Sequence, residues 1–345
     1  MHRVFVSLGQ GGTTTYTQPM SQSKTFLEHE VVLGNFAGRA DCGTHTFPFA
    51  VVLPPNLPST IKEKNCEGST CSIEYELRAR LHRPGILNFD SKDSVKITVF
   101  SRSQETGTAP VLVGPDTEKV KSCCCFNQGS MSIGFQADRS VVGRNDRLGL
   151  IVVAQNDSKL RVKELRIEIE QKVIWYARGY RATSKRSVAK VTVSGSQLGA
   201  LGEGADETPY KDRSHTAVAT EAQAHLQELL ASGAGVRHEV VVPQEKCSDS
   251  LQAGNITVHH SLDVSLKTSS FATNPELSMP LVVQRVSTGA AGGAGASIVA
   301  IPVVTATVMP LDAQGNPTPV QVPSDLVKFE MEEGVPDPSA PLSDV

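Results

Sequence analysis

Apolar and polar residues alternate with a period of two over much of this chain, the spacing of strands whose side chains point to opposite faces. The clearest case runs from Cys71 to Leu81. Ile73, Tyr75, Leu77, Ala79 and Leu81 share one face, and Glu74, Glu76, Arg78 and Arg80 share the other. Val95, Ile97 and Val99 repeat the pattern against Lys96 and Thr98. Upstream, Val4, Val6 and Leu8 predict a strand followed by a Gly/Thr turn, with further strands at Phe26-Leu27 and Val31-Val32-Leu33. Phe47 to Leu53 is apolar, and Pro48 marks it as an edge strand or bulge.

A second set of strands follows a break in the pattern. Residues 104–121 are rich in Ser, Thr, Gly and Pro without a period and read as a linker. Met131, Ile133, Phe135 and Ala137 then alternate with Ser132, Gly134, Gln136 and Asp138. Leu165, Ile167, Ile169, Val173 and Trp175 oppose Arg166, Glu168, Glu170 and Lys172, and Val188 opens another strand. Val236–Val242 and Ile256–Leu266 continue the series.

Ala217 to Ala231 departs from it, with Leu226, Leu229 and Leu230 at helical spacing. Thr220 with Gln223 matches a capping box, and Gly233 and Gly235 are stop signals. This predicts a helix inserted in a loop and lying on the sandwich surface, with a groove for a partner helix as the alternative. Residues 289–295 are a Gly/Ala linker, 298–311 are β-prone, and the tail from Glu330 is acidic and proline-rich. The fold class expected is all-β. Two immunoglobulin-like β-sandwich domains stand in tandem over 1–103 and 122–286, with the linker at 104–121 and a partly flexible tail over 287–345.

Composition narrows the class. The chain has 345 residues, room for roughly two domains of ~150 residues. Its 39% hydrophobic and 20% charged residues fit a globular protein. A formal net charge of -3 argues against a nucleic-acid partner. There is no long apolar run to cross a membrane, and Val4–Leu8 is too short for a signal-peptide core, so the expected compartment is the cytoplasm. Of seven cysteines, three are adjacent, which fits reduced thiols better than a disulfide framework.

Catalytic motifs do not appear. No Gly-Lys dipeptide exists to complete a phosphate-binding loop after Gly11-Gly12, and neither Gly-x-Ser-x-Gly nor His-Glu-x-x-His occurs. His259 and His260 are neighbours on a strand and face opposite ways, and the Cys66/Cys71 spacing is marginal for zinc. The reading is of a non-enzymatic protein with no catalytic residues, cofactor or metal.

Three features remain. Cys123, Cys124 and Cys125 read as strand-edge thiols, with S-acylation as the functional alternative. Lys172, Arg178, Arg181, Lys185 and Arg186 gather around Trp175, Tyr176 and Tyr180. They read as a solvated strand or as a contact for anionic lipid or a phosphorylated partner. Ser343-Asp344-Val345 fits the class I PDZ ligand form.

Gly43-Thr44-His45-Thr46-Phe47-Pro48-Phe49, Leu53-Pro54 and Ser72–Pro84 together resemble the arrestin N-domain. The cysteine cluster, Trp175–Gly179 and Asn274–Val283 look like the C-domain of the α-arrestins (arrestin-domain-containing proteins). The likeness covers roughly residues 1–286. It implies an adaptor that binds cytoplasmic parts of membrane proteins and links them to endocytosis, vesicle sorting or ubiquitin-dependent trafficking. Such a protein would work peripherally at the plasma membrane or endosomes. The retromer small subunit, which shares a His-x-Phe-Pro-Phe strand, and a receptor-signalling scaffold are the alternatives. A cysteine-based metal or redox protein is the alternative from another class.

Three departures qualify the likeness. The family's N-domain carries further strands ahead of the one Val4 matches, so a truncated first sandwich with an exposed apolar edge is expected, and 298–311 is a candidate to fill the gap. No Pro-Pro-x-Tyr motif is present to recruit a ubiquitin ligase. No sequence match to the charged inter-domain core of the visual and β-arrestins is found, so activation by phosphate is not expected.

Overall fold

In the computed structural model the residues described are 2–8, 12–18, 20–36, 43–54, 56–82, 90–101, 107–122, 126–198, 215–268, 274–285 and 304–308. The elements of the first region are β1 (His2–Leu8), β2 (Gly12–Gln18), β3 (Gly43–Phe47), β4 (Ile61–Lys64), β5 (Thr70–Ile73), β6 (Tyr75–Leu81) and β7 (Ser91–Ile97). Among the described residues these strands pair two by two: β1 with β2, β4 with β5, and β6 with β7. The Gly/Thr stretch expected as a turn is therefore β2, and Phe26-Leu27 and Val31–Leu33 form no strand. β3 ends at Phe47, where Pro48 removes the next ladder donor.

The long strand expected over Cys71–Leu81 is broken at Glu74. Cys71 and Ile73 turn into the β4–β5 hairpin and are buried, whereas β6 pairs with β7 in register Leu77↔Val95. The alternation survives the break, but Leu77, Ala79 and Leu81 are only half-buried and Val95 is 52% exposed.

The second region comprises β8 (Val111–Ser122), β9 (Phe126–Ala137), β10 (Val141–Gly143), β11 (Arg147–Ser158), β12 (Glu164–Ala177), β13 (Tyr180–Ser194), α1 (His215–Ser232), β14 (Val236–Val241), β15 (Leu251–Ala253), β16 (Ile256–Lys267) and β17 (Glu276–Gln284). One sheet runs β14-β11-β9-β8; the other runs β10-β17-β16-β12-β13, with β15 on β16. Their facing residues form one core, including Met131, Ile133, Phe135, Leu148, Ile167, Ile169, Leu262 and Val264. The linker expected at 104–121 is corrected here. β8 begins at Val111 and pairs with β9 as an edge of this sandwich, accommodating Gly114-Pro115 in a register shift between Val113 and Asp116.

α1 rests on the outer face of the four-stranded sheet, through Leu226 and Leu230 against Val153. It starts at His215, so Thr220 lies inside the helix and does not cap it. Its end follows the glycine signal. Gly233 takes a φ of 70°, Ala234 N–H donates to Leu229 O (3.0 Å), and Gly233 N–H donates to Leu230 O (3.1 Å), which is a Schellman motif. No helix among the described residues is long and apolar enough to cross a membrane.

Compact units cut across these regions. One holds Met1–His29, Val52–His82 and Asp90–Ser297; the other holds Glu30–Val51, Arg83–Phe89 and Ile298–Val345. In the second unit, β18 (Val304–Val308), within the β-prone tail segment, pairs antiparallel with β3. There Phe36 packs edge-on against His45 and Phe47, with ring centroids 5.1 and 5.8 Å apart.

Candidate anionic docking surface

β12 and β13 are joined by a two-residue loop, Arg178-Gly179, between the paired residues Ala177 and Tyr180. Both loop residues have positive φ (49° and 82°), as a type I′ hairpin turn requires. Arg178 is an uncommon choice at such a position, and its N–H donates to Gln22 Oε1 at 2.9 Å.

A bulge decides which way the basic residues point. Ile169 pairs with Ala189 and Glu170 with Ser187, so Val188 is an extra residue on β13. The extra residue shifts the alternation of β13 by one. Beyond it Ala182, Ser184 and Arg186 lie on the inner face with Trp175, Val173 and Gln171, while Arg181, Thr183 and Lys185 lie outward with Tyr176, Ile174 and Lys172.

The five basic positions thus divide. Lys172 stands directly opposite Lys185 on one side and His259 on the other, giving an exposed row Lys185–Lys172–His259 across three strands. Like charges directly opposite in a sheet are unfavourable. Glu170 partly offsets them: its Oε2 lies 2.6 Å from Lys185 Nζ, a hydrogen bond that raises the Lys185 pKa. Arg181 stands opposite Tyr176 at the strand end, where Tyr176 and Tyr180 are exposed. Arg186 leaves this surface and pairs inward with buried Glu63 of β4, 3.4 Å away. Cys123, Cys124, Cys125, Ser343 and Val345 lie outside the described residues.

The β4–β5 hairpin meets β12, β15 and β16 at a seam. Ile61, Cys71 and Ile73 of the β4–β5 hairpin share a buried cluster with Val173, Trp175, Ala253 and Val258. Trp175 Nε1–H donates to Ser69 Oγ (3.2 Å). The cluster raises the Cys71 thiol to about 11, mainly by burial.

Charged groups line the seam's edge. Arg144 lies 2.8 Å from Asp249 Oδ1, and Ser59 Oγ donates to Asp249 Oδ2 at 2.5 Å. Ser184 Oγ donates to Glu63 Oε1 at 3.2 Å beside Arg186. These pairs leave no trace in the sequence, because their partners lie far apart in the chain and Arg186 faces Glu63 only through the bulge.

His260 and Cys247 are buried alongside, 3.3 Å apart (Nε2 to Sγ). Burial lowers His260 to about 3, with Arg144 and Arg186 adding to the effect, and raises Cys247 to about 11. Both shifts favour the neutral forms, the opposite of a thiolate–imidazolium pair. Among the described residues, no group of three or more His, Cys, Asp or Glu side chains is placed to hold a metal ion.

Comparison with known proteins agrees with the architecture. The family model of the arrestin (or S-antigen) N-terminal domain matches residues 4–104, and that of the arrestin (or S-antigen) C-terminal domain matches residues 127–288. Arrestin domain-containing protein 15 of Caenorhabditis elegans is 21% identical over 182 residues, covering 52% of this chain and 47% of that protein. Phosrestin-1 of Drosophila melanogaster is 24% identical over 140 residues, and beta-arrestin-2 of Rattus norvegicus 22% over 134, each covering 37% of this chain and 32% of the relative. The chain therefore spans less than half the length of these curated relatives.

Proposed function

Because this chain belongs to the arrestin family, with both domains matched in tandem, we propose that it is a non-enzymatic adaptor. It binds cytoplasmic parts of membrane proteins and links them to endocytosis, vesicle sorting or ubiquitin-dependent trafficking, acting peripherally at the plasma membrane or endosomes. The observation that carries the reading furthest is the outward row Lys185–Lys172–His259 with Arg181 beyond it. Facing lysines on a rigid sheet, with an imidazole beside them, suit the phosphate oxygens of a lipid headgroup or a phosphorylated tail.

The test combines partners and chemistry. Proximity labelling in the native cell is expected to return membrane and vesicle proteins; their absence would sink the adaptor reading. Flotation with phosphatidylserine vesicles and titration with a phosphorylated tail peptide then separate the two sources of phosphate. Lys172→Glu with Lys185→Glu is expected to weaken the anionic contact tenfold or more, since each cation near a membrane surface contributes ~1 kcal/mol. Unchanged binding to both probes would remove this surface from the account.

A further inference from the structure

The outward face of the larger sheet carries its charge in separate blocks. Leu165, Ile167, Ile169 and Val173 of β12 point into the protein, so Glu168, Glu170 and Lys172 point outward. Lys172 stands opposite Lys185 of β13, and four residues back along β12 Glu168 stands opposite Asp263 of β16. Each is a like-charge pair, which is unfavourable across a sheet. Relief within the chain is incomplete. Glu170 reaches Lys185, Lys190 stands on the other side of Glu168, and Ser261 Oγ donates to Asp263 Oδ2 at 3.0 Å. Lys172 has no ion-pair partner among the described residues.

The face is open. α1 lies on the other sheet, and among the described residues no helix or strand packs outside β12, β13 and β16. Lys172, Lys185, Ser187 and His259 are exposed, and Glu168 and Asp263 are half-buried. The two like-charge pairs differ in sign and lie ~13 Å apart, four residues at ~3.3 Å each. A two-fold axis lying flat on the sheet and crossing β12 obliquely at Glu170 carries one pair onto the other. Lys185 and Lys172 of one copy then face Glu168 and Asp263 of the other, and the reverse, the reciprocity of an isologous interface. Ser187 and Ser261 flank Glu170 on the same row and are small enough to let two copies approach. Glu170 meets its own counterpart at the axis, where Lys185 Nζ stays beside it.

We propose that this face docks a second copy of the chain through reciprocal lysine–carboxylate contacts. β13, β12, β16 and β17, ~4.8 Å apart and about twelve residues long, present at most roughly 750 Å² per copy, near the ~800 Å² of a standard interface. Exposed charges hold it, so salt weakens it. The dimer does not rest on the anionic reading. It competes with it, because docked copies cannot offer Lys172 and Lys185 to phosphate.

Sedimentation of the full chain at micromolar concentration tests this by charge exchange. The unaltered chain is expected to be a monomer–dimer mixture in 50 mM salt and a monomer in 500 mM salt. Lys172→Glu/Lys185→Glu makes the face acidic and Glu168→Lys/Asp263→Lys makes it basic, so each variant alone is expected to be monomeric. Their equimolar mixture is expected to dimerise at least tenfold more tightly than either alone. A monomeric unaltered chain in low salt, or a dimer indifferent to salt, overturns the proposal without any variant. Variants that melt cooperatively yet stay monomeric when mixed overturn it too. Glu168→Lys/Asp263→Lys keeps both lysines, so its flotation with phosphatidylserine vesicles reads the anionic contact separately from the dimer.

Discussion

β6 and β12 are written in the same alternating pattern, apolar on one face and charged on the other, yet they end in different environments. Leu165, Ile167 and Ile169 of β12 are at most 2% exposed, whereas Leu77, Ala79 and Leu81 of β6 are half-buried. β12 lies between β13 and β16 and faces a second sheet across a continuous core. Among the described residues β6 pairs with β7 alone. Alternation licenses a buried face, but a second layer is what buries it. The β4–β5 hairpin shows the same rule from the other side: Ile61, Cys71 and Ile73 are buried because Val173 and Trp175 supply that layer.

The contrast is sharpest where most surface is at stake. Phe135→Ala in the second sandwich is expected to cost about 3–5 kcal/mol, read from the shift in urea midpoint. Ile73→Ala at the seam is expected to cost about 2–4 kcal/mol, and to shift the emission of Trp175, the sole tryptophan, to the red. A cost at Ile73 as small as that of a surface change would break the claim that the seam holds the β4–β5 hairpin.

Acid gives a smaller and graded effect. The buried neutral His260 has a folded pKa of about 3 against an ordinary 6.5. Between those values the unfolded chain takes up a proton that the folded chain refuses, so stability falls as pH drops through that window. The slope from this group is about 1.4 kcal/mol per pH unit at most. Equilibrium unfolding across that range, compared with His260→Phe, isolates it; equal slopes in both proteins would remove His260 as the cause. Smallest of all, Val95→Ala on the open face of β7 is expected to change stability by no more than about 0.5 kcal/mol. A cost near that of Phe135→Ala would mean that the β6–β7 face is covered.

Most strands of the second sandwich were legible in the sequence because each carries its own period. β12 is readable residue by residue, and the Ala/Glu/Leu-rich stretch marks the helix. What escaped depended on partners distant in the chain. β8 was hidden because Gly114-Pro115 and its polar residues interrupt the period, yet it pairs with β9 through the shift between Val113 and Asp116. The basic cluster is legible as a run of residues, but the bulge at Val188, which turns Arg186 to the face opposite Lys185 and Lys172, leaves no mark in the sequence. Glu63–Arg186 and Arg144–Asp249 leave no local trace, since each pair forms only when separate strands and loops meet.

Backbone amide hydrogen exchange tests the central claim most directly, that the second sandwich is the stable body and the β4–β5 hairpin is held to it through the seam. β9, β12 and β16 are predicted to be the slowest, β6 and β7 at least ~100-fold faster, and β4–β5 in between. Protection of β6 and β7 equal to that of β12 would contradict the account.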